Sequence, residues 1–204
     1  MRKLLVLVLT LLFTTSAFAQ DELLPDYLQD AIIVGDFSSL GTISVESGEQ
    51  ITYRLSQCGD LTEICFITVQ AGLQNAPAFK DLERNSSIQA RSGATLVCGY
   101  ELRNAFGALL AKIENRQPTT FYNQFGKSPF SWDHLPTEVY EAYSGYSWHP
   151  TITTVNPAPG VQSNAGESNV RADLKQFGIY IDTYAALIYF TAPVGSSWGC
   201  LAGA

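Results

Sequence analysis

Tyr100-Glu101-Leu102-Arg103-Asn104-Ala105-Phe106-Gly107-Ala108-Leu109-Leu110-Ala111-Lys112-Ile113-Glu114-Asn115 is the stretch on which the fold class turns. Leu102, Ala105, Phe106, Leu109, Leu110 and Ile113 recur at spacings of three, four and seven, which gathers apolar side chains on one face of a 3.6-residue period. The pattern predicts a helix over residues 100–115. Pro118 stops it, since its ring offers no N–H to continue the ladder.

Upstream the period is two. Ala31-Ile32-Ile33-Val34, Thr42-Ile43-Ser44-Val45, Gln50-Ile51-Thr52-Tyr53-Arg54-Leu55 and Cys65-Phe66-Ile67-Thr68-Val69 read as strands, with Glu46-Ser47-Gly48-Glu49 as a turn between two of them. They predict a small antiparallel sheet, an N-terminal β segment over residues 20–72. Downstream, residues 119–150 are crowded with aromatic and turn residues, and residues 151–168 are rich in Pro, Asn, Ser and Gly and read as an exposed loop. Two apolar runs, 176–181 and 185–191, joined by Asp182-Thr183-Tyr184, read as a closing hairpin. Strands around one helix make the expected fold class α+β.

The chain opens with Arg2-Lys3, an apolar run through Phe13 and Ser16-Ala17-Phe18-Ala19, the layout of a secretory leader cut after Ala19. Residues 1–19 are therefore expected to be removed, leaving a secreted or periplasmic protein with no membrane span in the mature chain. Without Arg2 and Lys3, ten of the twelve Lys and Arg remain against nineteen Asp and Glu, a net charge of −9. That balance argues against nucleic acid, which demands clustered cations, and against anionic membrane surfaces. Four cysteines in an exported chain imply two disulfides out of three possible pairings. Cys58 with Cys65 and Cys98 with Cys200 are favoured, the first because it flanks a loop between strand-like runs. The spacings match no zinc pattern.

From Asp81 to Pro193 the order of short motifs resembles the bacterial branch of the CAP superfamily, which includes cysteine-rich secretory proteins, antigen 5 and pathogenesis-related proteins. The residues that carry the resemblance are Asn85, Gln89-Ala90-Arg91-Ser92-Gly93, Cys98-Gly99, Leu102-Arg103-Asn104-Ala105-Phe106, Phe121-Tyr122-Asn123, Gly126-Lys127-Ser128-Pro129, Gly145-Tyr146-Ser147-Trp148 and the closing runs at Phe177-Gly178-Ile179 and Tyr189-Phe190-Thr191-Ala192-Pro193. The resemblance implies an α-β-α sandwich over residues 73–204. It also implies a cleft with two His and two acidic residues, and here the chain departs from the family. Asn123 stands at the first His position, and neither residues 151–153 nor residues 169–172 supply the missing carboxylate or second His. A cleft emptied in this way predicts no bound metal and no cofactor.

The functional expectation is a non-catalytic module that binds a small molecule, a glycan or a protein. Its candidate ligand-binding residues are Tyr122, Asn123, Trp132, His134, Tyr146, Trp148 and His149, rings and polar groups of the aromatic segment 121–148 and its neighbour. The bland reading of that segment is a long connection pinned to the core by its own rings. The alternative function is a cell-wall or glycan hydrolase using Asp133, His134 and Glu138. A third is an adhesive or structural envelope protein built on residues 21–71. No nucleophile elbow, phosphate loop or His-Glu-x-x-His occurs in the sequence.

Overall fold

The computed structural model describes residues 32–35, 42–55, 58–59, 61–74, 91–122, 129–191 and 197–203. The expected leader at 1–19, Asn85, Gln89-Ala90, Asn123, Gly126-Lys127-Ser128 and Ala192-Pro193 lie outside the described residues. The elements are β1 (Ile32–Gly35), β2 (Thr42–Glu46), β3 (Gln50–Leu55), β4 (Phe66–Gln74), β5 (Arg91–Arg103), β6 (Leu109–Tyr122), β7 (Phe130–Trp132), β8 (Thr137–Ala142), β9 (Tyr146–Asn156), β10 (Ala165–Gln176), β11 (Ile179–Thr191) and β12 (Ser197–Gly203). One sheet runs β1-β3-β4-β5-β6-β7, with β8 also on β6, and the other runs β2-β12-β11-β10-β9. Among the described strands only β1 on β3 is parallel. The two sheets enclose one shared core, a β-sandwich.

The α+β expectation is overturned: the described residues hold no helix. The stretch read as a helix is the hairpin β5–β6. Leu96, Cys98, Tyr100 and Leu102 alternate into the core along β5 and Ala111, Ile113 and Phe121 do so along β6, the period of a strand. Asn104 makes the turn. Its Oδ1 accepts from the N–H groups of Phe106 and Ala108, both at 3.0 Å, and Gly107 takes a φ of +75°, open to glycine at little cost. Two features hid the alternation. A register shift at Leu102/Arg103 changes its phase, and Asn115, Gln117 and Thr119 place polar side chains at inward positions. The α-β-α sandwich that the CAP resemblance implies is therefore absent from the described residues.

Thr119 Oγ1 donates to Gln117 O within β6, and Asn115 and Gln117 are satisfied across the sandwich. Asn115 Nδ2 donates to Ser168 O at 2.8 Å and to Ala186 O at 3.0 Å, and Ser168 Oγ donates to Gln117 Oε1 at 2.8 Å. A buried polar group without such partners would cost roughly 1–3 kcal/mol, so this network fixes how the sheets sit on each other. On the opposite face of β5 and β6, Lys112 Nζ lies between Glu101 at 3.4 Å and Glu114 at 3.5 Å, flanked by the pairs Arg103–Glu101 and Arg116–Glu114.

Other expectations shift with the sandwich. β2 and β3, read as neighbours in one small sheet, separate at their turn. β2 pairs with the C-terminal β12, while β3 pairs with β4. The residues read as an exposed loop at 151–168 include most of β9 and the start of β10. The closing hairpin turns at Phe177-Gly178, so Asp182-Thr183-Tyr184 sits inside β11. Both favoured cysteine pairs are bonded, Cys58–Cys65 with Cα atoms 5.3 Å apart and Cys98–Cys200 with Cα atoms 5.2 Å apart. The second ties β5 in one sheet to β12 in the other.

Candidate functional site

Phe121, Phe130, Trp132 and Tyr146 of the aromatic segment are core residues, while Tyr122, Tyr140, Tyr143 and Trp148 keep part of their surface exposed. Trp132 is fully buried, its ring edge-on to Phe130 at 4.5 Å and its Nε1 donating to Asn156 O at 3.2 Å. Phe121 and Phe130 pack against Phe190 in the same core. Tyr146 is buried, whereas Trp148 is half-buried with its Nε1 on Glu141 O at 2.8 Å. Tyr122 bonds Ser131 through its hydroxyl at 3.1 Å, and His149 is exposed opposite Asp173. This is the physics of a sandwich: large rings on alternate positions fall between the sheets and stay there.

Asp133, His134 and Glu138 lie along residues 115–120 of β6, each with its side chain engaged by a different partner. Asp133 accepts from Thr120 at 2.7 Å, His134 Nδ1 faces Leu135 O at 2.6 Å, and Glu138 is held by Tyr140 and Thr153. Thr120 and Ala111, the partner of Ala142, are nine residues apart on β6. The backbones of His134 and Asp133 bond Gln117 Nε2 and Pro118 O, nearer to Ala111, and so sit about 20 Å from the Tyr146 end of the sandwich at a strand rise of about 3.3 Å per residue. Among the described residues no three His, Cys, Asp or Glu side chains converge in a way that could hold a metal ion.

What the fold does assemble lies at that Tyr146 end. Four connections meet there: the disulfide-closed loop between β3 and β4, the β5–β6 turn, the β8–β9 turn and the β10–β11 turn. Asn104 Nδ2 donates to Leu61 O at 3.0 Å, linking the first two. Tyr146 Oη donates to Thr62 O at 2.6 Å and Gln176 Nε2 to the same oxygen at 3.4 Å, linking the two sheets. Phe177 N–H donates to Gly145 O at 2.7 Å, linking the last two turns. From this frame project Leu61, Phe106, Tyr143, Phe177, Ile179 and Tyr180. They are six of the nine large exposed apolar side chains among the described residues, and Phe106, Phe177 and Ile179 are at least 70% exposed. Exposed apolar groups scattered singly are ordinary, but a cluster at one end marks an interaction surface.

Charge and backbone set this end apart. Three of the four connections, at 104–108, 143–145 and 177–180, contain no charged residue, whereas the β3–β4 loop carries Asp60 and Glu63 and the Arg103 guanidinium donates to Gly107 O at 2.9 Å. Ser144 and Phe177 are the non-glycine residues with positive φ among the described ones, at 54° and 49°, and both lie here. Such conformations cost roughly 1–3 kcal/mol each and persist where the surroundings over-determine them, commonly at functional sites. The Phe177 ring occupies the space a Cβ on Gly145 would need, and Gly145 itself has a φ of +85°. Under the turns lies a layer of tyrosines. Burial holds the Tyr184 and Tyr100 hydroxyls above the usual tyrosine range, with the Asp182 carboxylate adding to it, and burial then Glu63 does the same for Tyr146.

Sequence reasoning missed this site because its residues are far apart in the chain and each turn looks ordinary. The signals that were present are Asn104 with Gly107, Ser144-Gly145 and Phe177-Gly178, each beside an apolar residue that a solvent-facing turn has no use for. No helix among the described residues is long and apolar enough to cross a membrane. No known protein family, curated protein or solved structure matches the chain.

Proposed function

We propose that this chain is a non-catalytic binding module, exported to the periplasm or the cell exterior, which engages its partner through the apolar loop tip. The observation that supports the reading is the gathering of six exposed apolar side chains, from four separate connections, on a frame pinned by hydrogen bonds and the Cys58–Cys65 bridge. Preorganised apolar anchors of this kind carry most of the energy of recognition surfaces. Two disulfides fit an oxidising compartment, as does the expected leader.

A dye that fluoresces on apolar surfaces tests the reading in solution. The double variant Phe106→Ser/Ile179→Thr is expected to lose most of the fluorescence enhancement seen with the wild-type protein and to keep its melting temperature within a few degrees, since both side chains face solvent. Dye binding equal to that of the wild type would place the binding surface elsewhere.

A further inference from the structure

The two disulfides stand in unlike surroundings, and the difference bears on how the loop tip is held, an inference that rests on the binding reading above. Cys98 and Cys200 are both fully buried between the sheets, on β5 and β12. A thiolate from solution reaches neither sulfur while the sandwich is closed. In the other bridge Cys65 is fully buried and its backbone is fixed on both sides, its N–H donating to Arg103 O at 2.7 Å and its carbonyl accepting from Leu55 N at 2.9 Å. Cys58 is partly exposed, beside an exposed Gly59 whose N–H donates to Glu63 Oε2 at 2.8 Å. Thiol exchange needs access to one sulfur and a leaving group at the other, and bridges open to solvent are the labile ones.

This bridge holds one corner of the tip. Between its ends lie the exposed Leu61, whose O accepts from Asn104 Nδ2 at 3.0 Å, and Thr62, whose O accepts from Tyr146 Oη at 2.6 Å and from Gln176 Nε2 at 3.4 Å. A segment released at Cys58 regains backbone freedom along its length, more than a few part-buried hydrogen bonds offset. We propose that Cys58–Cys65 is a thiol-exchange switch: a dithiol opens it in the folded protein and frees Leu61 and Thr62 from the tip, while Cys98–Cys200 keeps the sandwich closed. One thiolate of the dithiol attacks Cys58 Sγ. The Cys58–Cys65 bond breaks, a mixed disulfide forms at Cys58, and Cys65 leaves as a thiolate that takes up a proton. The dithiol's second thiolate then attacks the dithiol's own sulfur in the mixed disulfide, closing a disulfide within the reductant and releasing Cys58, which is protonated in turn. The two protons are those that the dithiol's thiols lose, and the two electrons that reduce the bridge are those that oxidise the dithiol. An oxidising compartment drives the reverse and closes the loop.

Dithiothreitol is the probe, added to the folded mature protein without denaturant and followed by alkylation and peptide mapping. Cys58 and Cys65 should take the label together at about one tenth, or less, of the dithiothreitol concentration that labels Cys98 and Cys200. At that concentration the side-chain amide resonances of Asn104 and Gln176 should shift, since both lose a carbonyl acceptor in the loop, while that of Asn115 between the sheets stays in place. The dye enhancement of the opened protein should fall to that of Leu61→Ser, in which dithiothreitol causes no further fall. Cys58→Ser/Cys65→Ser should reproduce the opened state and ignore the reductant; where that variant does not fold, the wild-type titration gives the reading by itself. Labelling of all four cysteines at one concentration, no labelling before unfolding, or earlier labelling of Cys98 and Cys200 overturns the inference. So does selective opening that leaves the Asn104 and Gln176 amides unmoved, which would make the bridge an inert staple. Labelling and amide shifts are read without a ligand, so they hold even where Phe106→Ser/Ile179→Thr places the binding surface elsewhere. Dye binding unchanged by opening, with both amides shifted, would overturn the control of binding and take Leu61 out of the surface.

Discussion

Tyr146 and Tyr184 lie close together beneath the loop tip, and their hydroxyls have opposite fates. Tyr146 donates to Thr62 O at 2.6 Å, whereas the Tyr184 hydroxyl is buried with no hydrogen-bond partner among the described residues. Removing a hydroxyl that holds a bond costs about 1 kcal/mol, and removing one that is buried unpaired costs nothing or stabilises. Tyr146→Phe should therefore lower the urea midpoint by an amount equivalent to about 1 kcal/mol and loosen the loop around Thr62, while Tyr184→Phe leaves the midpoint unchanged or raises it. Equal losses from both would mean that Tyr184 has a partner in solution. At this scale the sequence was informative wherever chemistry is intrinsic to the residue. Cysteines pair in an oxidising environment whatever the fold. It was uninformative about Asn115, whose amide becomes an inter-sheet tie only because Ser168 and Ala186 arrive opposite it from strands more than fifty residues away.

Among the elements, β12 has the most to lose. It stands between β2 and β11 and carries Cys200, so the sheet β2-β12-β11-β10-β9 is interrupted without it. In the chain-entropy picture a bridge closing about 100 residues contributes about 4.7 kcal/mol, and one closing a loop as short as that of Cys58–Cys65 contributes about 2.5 kcal/mol. Replacing Cys98 and Cys200 by Ala should therefore destabilise more than replacing Cys58 and Cys65, by about 2 kcal/mol in paired denaturation curves. The reverse order would show that the short loop is strained open without its staple. The strands β2, β3 and β4 were legible because apolar residues recur at every second position there, Ile43 and Val45, then Ile51, Tyr53 and Leu55, then Ile67, Val69 and Ala71, all of them in or against the core. The hairpin β5–β6 was not, because its bulge and its inward Asn, Gln and Thr erase the period of two and leave a fortuitous period of 3.6.

For the whole molecule, the buried tyrosines set a limit at alkaline pH. Tyr100, Tyr140, Tyr146 and Tyr184 all have hydroxyls raised above the ordinary value of 10.0, with burial the largest cause in each. A neutral group held more tightly protonated in the folded state contributes stability that is fully present below its unfolded pKa and is lost as pH rises beyond it toward the folded value. The urea midpoint should thus vary little from tyrosine ionisation between about pH 7 and 9 and fall as pH passes about 10, with tyrosinate absorbance appearing together with unfolding. Tyrosinate absorbance that rises fully before any unfolding would contradict this.

The same contrast of local and distant causes divides what could be read from the chain. Two disulfides, the early strands and the acidic balance were readable from the chain, because each depends on neighbouring residues or on composition, whereas the joining of Cys98 to Cys200 across 102 residues was favoured there and fixed by the fold. Long-range packing decided that the chain is a two-sheet sandwich, that β2 leaves its neighbour for the C-terminal strand, that Phe121, Phe130, Trp132 and Tyr146 of the aromatic segment enter the core, and that four connections share one end. Strand pairing at long separation is selected by the total core it buries. Residues 46 and 199 meet because the sandwich closes there, and no pattern local to either of them encodes the other.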